Sequence, residues 1–318
     1  EDIKFSDHKK LVSIKKIPII LGGLYLCLII LIYFNQFSIV SKFVITLFFL
    51  LGLLSDRNFL VNTKIRFFLQ FFLLTLFVYY QDIKIKSLSV EYLDLILKNN
   101  FFSLFFTVFC FAILINGTNF IDGLNGLVLG YYLIVIVSLF SLSLFNDSLT
   151  VQNLNNLQIL FFSLLFLLLL NYKGLIFLGD GGSYLIGLII GYYLIDISNL
   201  NVDVSPYYVA VLLWYPAFEN LFSLVRRSLK KIDISQPDNY HLHQMIYKIL
   251  KKNKFGNDEN LNFMTSLIIL IYNIPTFVIA SILHSQTKYL VILVLFNVMI
   301  YISVYYFLSK DNVLKKKF

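Results

Sequence analysis

The stretch FFSLFFTVFCFAILINGTNFIDGLNG, residues 101–126, carries no charged side chain before Asp122. Residues 101–115 approach the roughly 17–25 apolar residues that a membrane helix needs. The run then gives way to Asn, Asp and Gly, the composition of a polar loop. Nine further runs have the same apolar character, at about 17–34, 39–54, 65–80, 127–145, 157–170, 183–197, 206–222, 261–283 and 288–308. The expected fold is all-α: a polytopic integral membrane helical bundle of about ten transmembrane helices. Composition agrees, because the chain is 58% hydrophobic and only 14% charged, whereas a soluble domain is about half apolar and roughly a quarter charged. Its 33 Phe and 21 Tyr suit helices that face lipid and end near headgroups.

Alternating the loops from the N-terminus places 21 of the 26 Lys and Arg on one side. By the positive-inside tendency that side is cytoplasmic, and both chain ends belong to it. The net charge of +8 is therefore a topology signal and not a nucleic-acid patch. Cys27 and Cys110 lie inside apolar runs and read as small buried residues rather than a disulfide or metal site. No repeat or soluble domain interrupts residues 1–318, which form one domain; its largest polar insertion is the cytoplasmic loop 223–260. Acidic residues at Glu1, Asp2 and Asp7, without a small-residue cleavage site, speak against a removable signal peptide.

Four polar clusters fall on the cytoplasmic side. The first is Ser55, Asp56 and Arg57 with Lys64 and Gln70. The second is the end of the opening stretch, Asn116 to Gly126, in which Asn119, Asp122 and Asn125 recur every three residues and would share one face of any helical turn. Gly117, Gly123 and Gly126 would let a ligand approach its backbone, although an Asx-turn joining two spans uses the same residues. The third runs from Phe177 to Ser183 and sets Asp180 in a Gly-rich turn before a helix. Free N–H groups there suit phosphate, and the carboxylate suits Mg²⁺, with Ser183 as N-cap the plainer alternative. The fourth holds Arg226, Arg227, His241 and His243; the arginines read either as membrane anchors or as phosphate ligands. The two histidines share a face only in an extended segment. Glu219, near the end of an apolar run, needs a partner such as an Arg or the histidine loop unless it snorkels to the surface.

In this order the clusters resemble the polyprenyl-phosphate N-acetylhexosamine-1-phosphate transferases, the WecA and MraY superfamily. The motifs that carry the resemblance are Pro18 with Gly22 and Gly23, Asp56 with Lys64 and Gln70, Asn119-Phe-Ile-Asp122-Gly-Leu-Asn125-Gly, Phe177-Leu-Gly-Asp180-Gly-Gly-Ser, Pro216 with Glu219, Arg226-Arg227 and His241-Leu-His243. The resemblance implies transfer of a sugar 1-phosphate from a UDP-sugar such as UDP-GlcNAc to undecaprenyl phosphate, with Mg²⁺ (or Mn²⁺) and release of UMP, at the cytoplasmic face of a bacterial inner membrane. That reaction initiates cell-surface polysaccharide such as lipopolysaccharide O-antigen, and a homodimer is compatible with it. It implies catalytic roles for Asp56, Asp122, Asp180, His241 and His243, with Asp180 and Asp122 as metal ligands. Lys64, Asn116, Asn119, Asn125, Ser183, Arg226 and Arg227 would bind substrate. Ser55, Asn125, Glu219 and Gln244 depart from the usual Asp, Asp, Asp and His. The absence of a triple histidine favours the N-acetylhexosamine branch, whose members generally carry one more N-terminal span. Two readings compete: a multispan transporter, which would carry charge near mid-membrane, and an inactive relative that acts as a scaffold.

Overall fold

The computed structural model describes residues 20–145, 150–231, 240–253 and 255–310. The basic N-terminal arm, Pro18, any further N-terminal span and most of the C-terminal tail lie outside these residues. Each of the ten apolar runs is helical: α1 (Ile20–Tyr33), α2 (Ile39–Asp56), α3 (Thr63–Tyr80), α5 (Asn100–Ile121), α6 (Leu127–Phe145), α7 (Val151–Tyr172), α8 (Gly179–Leu200), the pair α9 (Pro206–Leu212) and α10 (Trp214–Leu229), α12 (Asp258–Ile282) and α13 (Thr287–Ser309). Two short helices were not expected, α4 (Glu91–Leu97) and α11 (Leu242–Lys252). Among the described residues, seven helices are long and apolar enough to cross a membrane; α1 and α6 contain shorter apolar helices, and α9 with α10 makes an eighth span if the bent pair is counted as one.

The run over 206–222 is bent within this pair, whose axes differ by 73°. Pro216 has no N–H to give the carbonyl of Leu212 four residues earlier. The Tyr131 hydroxyl donates to that carbonyl instead, at 2.9 Å. The freed group is thus satisfied inside the bundle, which lets the break persist in apolar surroundings. Pro216 itself sits in the first turn of α10, where a missing N–H costs least.

Contacts between helix ends confirm the alternation of direction. Asp56 at the end of α2 meets Asp180 at the start of α8, and Asn119 in the last turn of α5 meets the same residue. At the opposite end, Gln36 after α1 bonds Asn156 near the start of α7 at 2.8 Å, and Asn199 at the end of α8 donates to the carbonyl of Lys84 at 2.7 Å. The central element is α8, buried from Gly179 through Ile195. Small residues let it fit among its neighbours, since bilayer helices associate by close packing. A Cβ on Gly52 of α2 would lie 2.2 Å from the nitrogen of Gly181, so the two backbones touch where the carboxylates meet.

Candidate active site

Asp180 sits in the first turn of α8, where the positive end of the helix dipole favours an anion. Although only 6% exposed, its carboxylate is well supplied with donors. Asn119 donates to Oδ1 at 2.8 Å and Ser55 to Oδ2 at 2.7 Å, while Arg66 Nη1 stands 3.8 Å from Oδ2. The backbone N–H of Asp180 donates to Asp56 Oδ2 at 2.8 Å. Asn119 also reaches Ser183 Oγ at 3.0 Å, and the Ser183 hydroxyl donates back to the Asp180 carbonyl at 3.0 Å. Ser183 is therefore not the N-cap: the helix begins four residues earlier, at Gly179.

Four helix ends, those of α2, α3, α5 and α8, thus converge on one buried carboxylate. The donor set is all oxygen apart from the amide and guanidinium nitrogens, with Asp56 and Asp180 adjacent. Among the described residues no three His, Cys, Asp or Glu side chains group tightly enough to cage a metal. This arrangement fits Mg²⁺, which prefers hard oxygen ligands and is commonly held by one or two carboxylates together with substrate phosphates and water. Asp122, expected beside Asp180 as a ligand, is half-buried and caps α5 one turn beyond Asn119.

The three-residue repeat stacks less than expected, because α5 stops at Ile121. Asn119 is helical, whereas Asn125 lies in the following turn. The Asn125 backbone is tied to α12: its N–H donates to Asn262 at 2.7 Å and its carbonyl accepts from Ser266 at 2.8 Å. The glycines expected to admit a ligand have protein neighbours. A Cβ on Gly117 would lie 2.0 Å from the Pro216 carbonyl, and one on Gly123 would lie 2.7 Å from His243 Nε2. Gly126 takes φ +78° in the turn. Asn116 donates to Gln70 at 3.1 Å and so links α5 to α3.

Beyond the last turn of α5 lies a second group. His241 Nδ1 is 2.9 Å from Glu219 Oε1, and Glu219 is buried at 1% exposure, which corrects any surface-snorkelling role. The His241 ring packs 5.0 Å from Phe120, the neighbour of Asn119, and stacks on His243 at 5.7 Å with 6° between planes. The histidines stand where extended backbone enters α11, His241 as N-cap and His243 in the first turn. Arg226 donates to the Tyr240 carbonyl at 3.2 Å and the Tyr305 hydroxyl at 3.0 Å, fastening the histidine segment to α10 and α13. Arg227 is buried beside it. Replacing Glu219 by alanine is expected to lower thermal stability by an amount equivalent to about 1–3 kcal/mol, since a buried partner is left unsatisfied. Glutamine, which keeps an acceptor oxygen, should lose less; equal losses would exclude the acceptor oxygen alone as the feature that orients His241.

On α3 it is Arg66, not named among the expected site residues, that reaches the Asp180 group. Lys64 is exposed, whereas Arg66, which had counted only toward topology, donates to Ser55 and faces Asp180. On a helix, residues 64 and 66 point about 200° apart, and 66 shares its face with 70. Since Gln70 is buried against Asn116, the spacing held the signal that selects Arg66.

A family model described as glycosyl transferase family 4 matches residues 37–198, which is half of the chain and includes Asp56, Arg66, Asn119, Asp122 and Asp180. The chain belongs to glycosyl transferase family 4. Similarity to curated members of this group extends further. It is 26% identical over 257 residues to a probable undecaprenyl-phosphate N-acetylglucosaminyl 1-phosphate transferase of Bacillus subtilis, covering 80% of this chain and 68% of the relative. It is 30% identical to an undecaprenyl-phosphate alpha-N-acetylglucosaminyl 1-phosphate transferase of Thermotoga maritima, over 46% of this chain and 44% of the relative. A decaprenyl-phosphate N-acetylglucosaminephosphotransferase of Mycolicibacterium smegmatis is 30% identical over 43% of the chain and 38% of its own length. The chain thus matches less than half the length of these last two. The family match encloses the Asp180 group and stops short of Glu219 and the histidines.

Proposed function

We propose that the protein transfers an N-acetylhexosamine 1-phosphate, GlcNAc-1-phosphate above all, from a UDP-sugar to undecaprenyl phosphate and releases UMP. The carrying observation is the convergence of Asp56, Asp180, Asn119, Ser183 and Arg66 at one end of a membrane bundle. A lipid phosphate reaches such a place with its tail still among helices, and a nucleotide sugar reaches it from water. The names of the relatives support the same substrates.

An oxygen of the acceptor phosphate attacks the phosphorus next to the sugar; the new P–O bond forms as the bond to the UMP oxygen breaks, and UMP departs with the electron pair. Much of catalysis in such a transfer is positioning and charge stabilisation. Asp56, locked to the Asp180 backbone, orients the acceptor phosphate or takes its proton. Asn119 and Ser183 hold Asp180 in place, and Arg66 supplies positive charge. His241, set by Glu219 and packed on Phe120, borders the sugar-phosphate side. Asp180, with Asp56 adjacent to it, and Asp122 would hold Mg²⁺, which would supply charge neutralisation of the diphosphate. On this reading the site lies at a bacterial inner membrane, its cytoplasmic orientation supported by the distribution of Lys and Arg, and the product is the lipid-linked start of a surface polysaccharide. Membranes carrying the protein, given UDP-GlcNAc and undecaprenyl phosphate, should form a lipid-linked sugar and UMP in equal amounts. Absence of both from a panel of UDP-N-acetylhexosamines would sink the proposal.

A further inference from the structure

We propose that Ser55 and Arg66 supply Asp180 with an internal counter-charge that a divalent cation has to displace. A guanidinium has only donors, so in the contact between Arg66 and Ser55 the hydroxyl must accept. Its single proton is then directed to Asp180 Oδ2 at 2.7 Å. With Asn119 on Oδ1 at 2.8 Å and Arg66 Nη1 3.8 Å from Oδ2, the buried carboxylate is hydrogen-bonded on both oxygens and balanced in charge by the chain itself. A divalent ion arriving at Oδ2 meets a hydroxyl proton and a neighbouring positive charge. An aspartate at position 55 would reverse both effects: it would add negative charge beside Asp180 and draw Arg66 into a direct ion pair.

Two consequences follow for the proposed reaction, on whose cation this inference rests. Ser55 and Arg66 keep the affinity of the substrate-free site for a divalent ion low. A substrate phosphate that draws Arg66 off Asp180 removes the opposition, so phosphate and cation bind with positive coupling. Ser55 is in this sense a positioning residue, acting through Asp180.

The test measures cation binding and requires no turnover. Purified full-length protein in lipid nanodiscs is titrated with Mn²⁺ without substrate, free ion is counted by electron paramagnetic resonance, and Mg²⁺ competition is recorded for wild type, Ser55→Ala, Ser55→Asp and Arg66→Gln. Thermal melting in chelator checks that each variant is folded. Arg66→Gln and Ser55→Asp should each bind Mn²⁺ at least about tenfold more tightly than wild type, the scale on which one charge at 4–6 Å acts on a neighbouring site. Ser55→Ala should bind more tightly by a smaller factor. Unchanged or weaker binding in the first two overturns the inference, and weaker binding in Ser55→Ala overturns it by making Ser55 a ligand. Failure of every variant to bind also overturns it, while the transferase reading stands or falls separately on product formation by wild type.

Discussion

Asparagine at position 180 is expected to reduce transfer by at least about 10²–10³-fold, the scale of losing one preorganised electrostatic contact in a buried site. The substitution keeps the shape of the side chain and removes its charge. Both carboxylate oxygens now accept, from Asn119 and Ser55, so an amide must turn its NH2 toward one of these donors. That conflict leaves a buried polar group poorly paired, at a cost of about 1–3 kcal/mol. Arg66, 3.8 Å away, also loses the anion that balances it. Initial rates and melting of the purified variant separate the two effects. The rate should collapse while a cooperative transition remains, and retention of more than about a tenth of wild-type activity in a folded variant would remove Asp180 from the reaction.

The bundle was legible in the sequence because apolar length is a strong and local signal. Each of the ten runs became a helix, and counting Lys and Arg along them assigned Asp56, Asn119 and Asp180 to one end before any contact was known. Three features were harder to read. The bend at Leu213 depends on Pro216, which is visible, and on Tyr131 capping the carbonyl that Pro216 leaves open, a partner about eighty residues distant in the chain. Arg66 was hidden by its neighbour, since Lys64 and Arg66 are alike in charge and differ only in which face of α3 they occupy. The Asn119, Asp122, Asn125 repeat would share one face of any helical turn, but a turn through Gly123 and Gly126 ends the helix after Ile121. Spacing in sequence becomes spacing on a face only while the helix lasts.

A methyl group at position 52 tests the geometry that brings the carboxylates together. An alanine Cβ there would lie 2.2 Å from the nitrogen and 2.3 Å from the Cα of Gly181, and 2.7 Å from the carbonyl carbon of Asp180. These are backbone atoms on the central helix, so no rotamer relieves the clash. Helices α2 and α8 must part by roughly 1 Å to restore ordinary contact, and overpacking of this kind costs about 1–3 kcal/mol. The same movement stretches the 2.8 Å bond from Asp180 N–H to Asp56 and the 2.7 Å bond from Ser55 to Asp180. A misplacement of about 1 Å can cost 10²-fold in rate, and Gly52→Ala should lose activity on that scale. Gly130→Ala provides the contrast: its added Cβ meets only the tip of the Leu270 side chain, at 2.5 Å, which can rotate away, and alanine favours the helix by up to about 1 kcal/mol. Comparable activity in the two variants would show that the tight seam between α2 and α8 does not set the register of Asp56 on Asp180. A selective loss in Gly52→Ala ties the chemistry of the site to the two glycines that let the backbones of α2 and α8 touch.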